Sequence, residues 1–522
     1  MDYLSNEQKS RSVVPNWRFF SETMEIGELE SSRIGKEPEN LYAIDDYVDS
    51  WLDRRSFSTA GDLISAAITN GQRNNKYARD AARYIIEEQN SVEYPVLERG
   101  AKFILSGTEN IISAKTSDAH SELIQKLESA QNMGKRIHDI RHKMNIYPYN
   151  AVLYVDMSRA QLTVGNTDKA IKLMQVALQL DPSNRFVVRA AVRLFNHIGD
   201  FERANYALRG SSLIKYDPWL IAADISIGMK RGKNSVHIKN GMKIIESQNY
   251  HPFSYTELAS SLGTLEYYFG TRKKSRKYFS TSIMSPNDNS LAQAEWVSPR
   301  LQLSFDRKTD VKFDYEARFY QAFFKKDFET AIKELVDWII DMPYSQKPIY
   351  LGTSLSLTFL RNFELAEAIL KIGLKVSPNN MDFINNMAYT LARLNKTKEA
   401  QVYMDMFMKY PIEEISNSGM VCQKATKGLI AYRRGDYSLG MSLYEEAVAE
   451  AEKFKDNLPE VYYKAVINSK REELIASEYK KKECLEYLKK LDIPENDLGL
   501  KALIEEVELI YKNHQPHVIE NI

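Results

Sequence analysis

His138 and His142 stand four residues apart in a stretch that reads as helix, a spacing that puts two imidazoles on one face where they could offer a metal two ligands. No further Cys or His lies nearby to complete a ligand set, so the pair reads as part of a solvated basic helix and no metal is assigned. Cys422 and Cys484 are the only cysteines. Two thiols are too few for a disulfide framework, and they point to a reducing compartment. Both are expected as small buried apolar residues and not as nucleophiles. The chain has no GxxxxGK followed by Ser or Thr, no GxGxxG after a strand, and no HExxH, CxxC or GxSxG. The signatures of phosphate-cradling loops, zinc and redox sites and nucleophile elbows are therefore missing, and the chain is expected to be no enzyme and to take no cofactor.

Charge offers a second kind of chemistry. Seventy Lys and Arg balance seventy Asp and Glu, so the formal net charge is zero and nothing attracts the whole molecule to phosphate or anionic lipid. Cations do cluster locally. Residues 229–243 hold five Lys/Arg and no acid, and residues 271–277 hold five more. Lys230, Arg231, Arg272, Lys273 and Lys274 are the candidates for a basic ridge that binds nucleic acid through counterion release. Against this, turn tips are commonly Lys-rich because they are solvated, and that is the favoured reading.

The elements that would position any such residues repeat. Ala170 and Ala204 lie thirty-four residues apart, as do Ala366 and Ala400, each in a similar run of apolar and small residues after a turn. A fixed period of that size fits one helix–turn–helix unit whose apolar face is buried by the next unit. The clearest unit is residues 151–184. There Gly165 and Asn166 break the first helix, Ala170, Met174 and Ala177 mark the second, and Asp181-Pro182 ends it. The offsets recur through Tyr350, Ala366 and Pro378, and again through Met387, Ala400 and Pro411. Another copy, with Ala322, Ala331 and Pro343, has Lys326 where the turn glycine would sit.

This layout resembles the tetratricopeptide repeat, in which a large residue, a small residue, a mid-repeat Gly, two Ala positions and a terminal Pro recur at set offsets. The resemblance implies an all-α, right-handed superhelical solenoid of antiparallel helix pairs. It also implies that certain positions of each first helix line a concave groove. Carried onto this chain, those positions are Glu316, Tyr320, Phe323 and Phe324, then Leu351, Leu355, Thr358 and Phe359, then Asn385, Tyr389, Ala392 and Arg393, and then Leu429, Tyr432 and Arg433. Tyr and Arg dominate binding hot spots. Accordingly Tyr320, Phe324, Asn385, Tyr389, Arg393, Tyr432 and Arg433 form the expected site for a partner peptide or helix. Asn385 and Asn386 would hold backbone amides, Arg393 and Arg433 an acidic group, and Tyr320 and Tyr389 apolar side chains. The competing reading is that several of these aromatics pack between helices. The arrangement by which some members of the family grip a chain-terminal carboxylate is not repeated: Val155 and Arg159 occupy its first two places in the unit at 151.

Four regions follow: a polar N-terminal arm, 1–40; a divergent helical cap with one long connecting helix, 41–148; the repeats, 149–455, degenerate around 205–255; and C-terminal capping helices, 456–522. The arm carries an aromatic knot, Trp17-Arg18-Phe19-Phe20, read either as a docking segment or as packing on the first helices of the array. No run of eighteen apolar residues and no apolar leader occur, so a cytoplasmic protein without membrane contact is expected. The expected function is a scaffold or adaptor that binds another protein, with self-association through its end helices as a further possibility.

Overall fold

The computed structural model describes residues 11–23, 44–69, 75–87, 97, 100–101, 104–105, 116–129, 133–247, 249–303, 311–476, 481–494 and 497–513. The parts of the arm at 1–10 and 24–40 lie outside them. Contacts divide the chain into two compact units, residues 32–118 and residues 1–31 together with 119–522.

In the smaller unit, α1 (Ile44–Asp53), α2 (Phe57–Thr69) and α3 (Lys76–Glu87) pack in sequence order around a core that includes Trp51, Leu63 and Ile85. The stretch expected as one connecting helix is two, α4 (Thr116–Ser129) and α5 (Gly134–Ile146), the second opening at Gly134.

The larger unit is a run of helix hairpins. They are α6 (Ala151–Thr163) with α7 (Thr167–Leu180), α8 (Arg185–His197) with α9 (Phe201–Gly210), and α10 (Pro218–Lys230) with α11 (Ile238–Ser247). α12 (Thr256–Phe269) follows with α13 (Arg272–Ser282), then α14 (Asp288–Leu301), then α15 (Tyr315–Phe324) with α16 (Phe328–Asp341). α17 (Gln346–Thr358) pairs with α18 (Phe363–Val376), α19 (Met381–Arg393) with α20 (Thr397–Phe407), and α21 (Asn417–Arg433) with α22 (Tyr437–Glu452). α23 (Pro459–Ala476), α24 (Lys481–Lys489) and α25 (Leu498–Asn513) close the chain. Successive helices pack on one another, and the fold is an all-α solenoid of antiparallel helix pairs. No helix among the described residues is long and apolar enough to cross a membrane.

The local causes are those the period implies. Ala170, Ala204, Ala366 and Ala400 are fully buried where paired helices meet, because a larger side chain would hold the backbones apart. Ser does the same job with a polar tether: Ser158 donates to the Ala170 carbonyl at 2.7 Å, and Ser275 to the Gly263 carbonyl at 2.8 Å, in each case across a hairpin. Side chains of Asn150, Asn184, Asp217 and Asn380 accept from the first free amides of α6, α8, α10 and α19. The mid-repeat turns need a left-handed residue. Gly165 supplies it at φ 84°, while Lys326 is forced to φ 63° in the unit that lacks the glycine. The run also meets itself: α6 touches α18, and the turn at Gly165 lies against the Lys375 carbonyl.

Candidate functional site

Residues 11–19 have no regular structure and lead into one helical turn, Phe20–Thr23. This segment lies on a wall built from α6, α8, α14, α15 and the end of α16, which together bury it: Arg11, Val13, Trp17, Arg18 and Phe19 are each at most 6% exposed. The wall grips the backbone. Gln293 Nε2 donates to the Arg11 carbonyl at 3.0 Å and Asn289 Nδ2 to the Val14 carbonyl at 3.0 Å. At Trp17 the Tyr344 hydroxyl donates to the carbonyl at 2.8 Å and accepts from the amide at 3.2 Å, while Arg159 Nε adds a second donor at 3.0 Å. Asp156 accepts the Phe20 amide at 2.9 Å.

It also reads side chains. Arg11 forks onto Glu316 at 2.9 and 2.8 Å and reaches Gln293 and Asn289. Arg18 forks onto Asp341 at 2.9 and 2.7 Å and meets Asp288 at 2.6 Å, while Asn16 donates to Asp288 at 2.8 Å. Trp17 tilts on Tyr344, Phe20 packs edge-on against Phe186, and Phe19 lies between the guanidinium groups of Arg136 and Arg159. The wall is thus anionic where the segment is cationic. Bidentate Arg–carboxylate pairs give direction as well as energy. Burial pushes the Glu316 carboxyl up, but Arg11 and Lys347 outweigh it and hold the group well below the usual carboxylate range. At Asp341 burial wins over Arg18, and its pKa lies above the ordinary value.

The expected partner residues fall in two places. Tyr320 is 1% exposed, and its hydroxyl donates to Glu316 Oε1 at 3.3 Å, so it supports the carboxylate that takes Arg11. Phe324 stacks on Tyr320 with ring centres 5.9 Å apart, and Phe323 packs against Phe328 and Phe359, so these aromatics fill space between helices. The other group lies against the C-terminal helices. Arg393 pairs with Glu506 of α25, and Arg433 pairs with Glu472 of α23 at 2.7 Å. Tyr389 accepts from Arg393 at 3.0 Å and from Arg471 at 3.3 Å. The acidic groups expected from a partner are therefore supplied here by the chain itself. Tyr432 packs on Tyr437 and Tyr444, and Asn385 is 7% exposed with its Oδ1 unbonded among the described residues.

In the basic stretches, Arg231 forks onto Glu202 at 2.9 and 2.7 Å, and Lys274 lies 3.8 Å from Glu266. Lys230 sits over the Phe201 ring, while Arg272 and Lys273 are exposed on the first turn of α13. No cluster of metal-ligating side chains occurs among the described residues. Cys484 is buried as expected, but Cys422 is exposed.

Sequence reasoning passed over Asp288, Asn289, Gln293, Asp341 and Tyr344. Asn289 and Gln293 do carry a signal, two carboxamides four residues apart on one helix face, but α14 belongs to a poorly matched unit to which the repeat offsets do not extend. Tyr344 follows the terminal Pro343 in a linker, where helix periodicity gives no guide.

No family model matches the chain, and no curated protein sequence matches it. Among solved structures, yeast Tom70 aligns with 76% of this chain and 97% of its own at 12% identity and a TM-score of 0.26. The TPR domain of P58(IPK) aligns with 70% of this chain and 99% of its own at 15% identity and a TM-score of 0.21. Likeness at this level carries no functional inference.

Proposed function

We propose that this chain is a non-enzymatic cytoplasmic scaffold of tetratricopeptide type that holds a non-helical segment of a partner protein on the wall formed by α6, α8, α14, α15 and α16. One observation supports this above all: the wall already holds such a segment, residues 11–20, through three backbone carbonyls and two arginines. The arm is then the resident occupant, and a partner would compete for the same contacts. Its chemistry follows from the wall. Glu316, Asp288 and Asp341 call for two cationic side chains, and Tyr344 and Phe186 call for aromatic ones beside them. The two free cysteines fit a reducing compartment.

The test is to offer a labelled peptide of residues 11–23 to the full chain and to a full-length Trp17→Ala/Arg18→Ala variant. A tethered arm acts at an effective concentration on the order of millimolar, so the wild-type chain should bind the free peptide at least about tenfold more weakly than the variant does. Pull-downs from native cells should then recover a partner with the variant that the free peptide displaces. A variant that keeps its helical circular dichroism but ignores the peptide would make the arm a permanent piece of the fold and end the reading.

A further inference from the structure

A cavity of about 580 Å³ lies between residues 11–16 of the arm and the helices behind it. That is within the range of about 300–1,000 Å³ typical of small-molecule sites. Its charge is lopsided. Arg11, Arg193, Lys230 and Lys347 contribute to the lining, and Glu316 is the one carboxylate among the lining residues. Arg11 and Lys347 already share that carboxylate, with Lys347 Nζ 3.0 Å from Oε1. Arg193 faces no carboxylate among the described residues: Nη2 donates to Ser345 Oγ at 3.2 Å, and Nε is buried without a hydrogen-bond partner. Trp338 Nε1, on another lining residue, also has no hydrogen-bond partner among the described residues.

The cations feel one another. Burial, with Arg11 and Arg193 adding to it, outweighs the pull of Glu316 and brings Lys347 down to about 8. His197, also in the lining, is brought to about 4 by burial and Arg193, so it is neutral at physiological pH and adds no charge. The rings of Tyr268, Phe269 and Phe201 also line the cavity, the last beneath Lys230.

We propose that this cavity binds a small molecule through an oxyanion group, phosphate or carboxylate, held between Arg193 and Lys347, with a planar apolar body against Tyr268 and Phe269. A guanidinium and an ammonium lining one cavity would give the head group charge-assisted hydrogen bonds, and an anion there would relieve the repulsion between them. The rings offer faces for the body to stack on. The cavity needs the arm seated, since Arg11, Ser12, Val14 and Asn16 line it, but its test is separate from that of the partner reading: no carboxylate that holds Arg18 lines the cavity, so small-anion binding can fail while the arm is still displaceable.

Calorimetry and thermal unfolding of the full chain with phenyl phosphate and with benzoate, at an ionic strength fixed by sodium chloride, test it. At least one should bind saturably and raise the unfolding temperature, and which one does so identifies the head group. Arg193→Gln and Lys347→Met should each weaken that binding by about tenfold to a hundredfold, the loss expected for a hydrogen bond to a charged group. Each variant is first checked for its helical signal. If Arg193→Gln fails to fold, Lys347→Met decides. Saturable binding of neither probe, or binding that the folded variants leave unchanged, overturns the proposal. So does binding of a glutamate-rich peptide where neither small anion binds, which would assign the cavity to a protein partner.

Discussion

At the scale of single residues, His197 shows how burial becomes a pH response. Its pKa falls from 6.5 to about 4, chiefly through burial and then through Arg193. A base with a lower pKa folded than unfolded binds fewer protons when folded, so stability rises with pH across that window and is lost as pH drops from about 6.5 towards 4. The full swing is on the order of 3 kcal/mol. His197→Leu should remove most of it. Denaturant unfolding of both proteins at neutral pH and near the foot of the window checks this: the gap between them should narrow as the medium is acidified, and a constant gap would mean that the imidazole is not held neutral. Glu316 acts at the other edge. Its depressed pKa gives stability that is present above the ordinary carboxylate range and lost only as pH falls below it, so the Arg11 contact should outlast the histidine effect in acid.

At the scale of elements, the turn inside each hairpin offers two substitutions of opposite sign. Gly165 has φ 84°, and a Cβ there would stand 2.4 Å from the Lys375 carbonyl oxygen, a backbone atom that cannot swing away. Gly165→Ala should therefore destabilise by about 2 kcal/mol or more, combining left-handed strain with the clash. Lys326 occupies the equivalent turn at φ 63° with a side chain already in place. Lys326→Gly relieves about 1–2 kcal/mol of strain and gives back about 0.4–1 in unfolded-state entropy, so it should be neutral or stabilising by up to about 1.6 kcal/mol. Thermal melts of the two variants should shift in opposite directions. This symmetry explains why the hairpins were legible in the sequence: Gly165, Ala170 and Ala366 are dictated by backbone geometry that any such pair must meet. The wall beneath the arm was only partly so. Glu316 and Tyr320 fall at repeat offsets and do sit beneath the arm, but the contacts of Arg18 join Asp288 to Asp341, fifty-three positions apart in the chain, and no local pattern encodes that meeting. Arg393 and Arg433 stand at repeat offsets, but nothing in those offsets shows that their partners are Glu506 and Glu472, which come from terminal helices that carry no repeat pattern.

At the scale of the larger unit, the arm changes what kind of object a solenoid is. A row of hairpins touching only their neighbours has stability that adds up locally, so loosening one hairpin loosens those beside it and little else. Here residues 11–20 tie α6, α8, α14, α15 and α16 together, although α6 and α14 are separated by more than a hundred residues of chain, and they add to the direct contacts that α6 makes with α18 and, through Arg159 Nη2 on the Asp341 carbonyl at 2.7 Å, with the end of α16. Arg18→Ala strands Asp341 and Asp288 without their shared cation, and removing one partner of such a buried pair costs about 3–5 kcal/mol. Were the unit a chain of neighbours, hydrogen exchange in the variant would quicken around α14 to α16 alone. With the arm as a brace, α6 must quicken with them, because Asp156 and Arg159 lose the Phe20 amide and the Trp17 carbonyl when the segment lifts, while α20 and α22, which lie beyond its reach, keep their protection. Exchange that spreads outward from α14 by sequence distance, with α6 unchanged, would show that the arm decorates the array without bracing it.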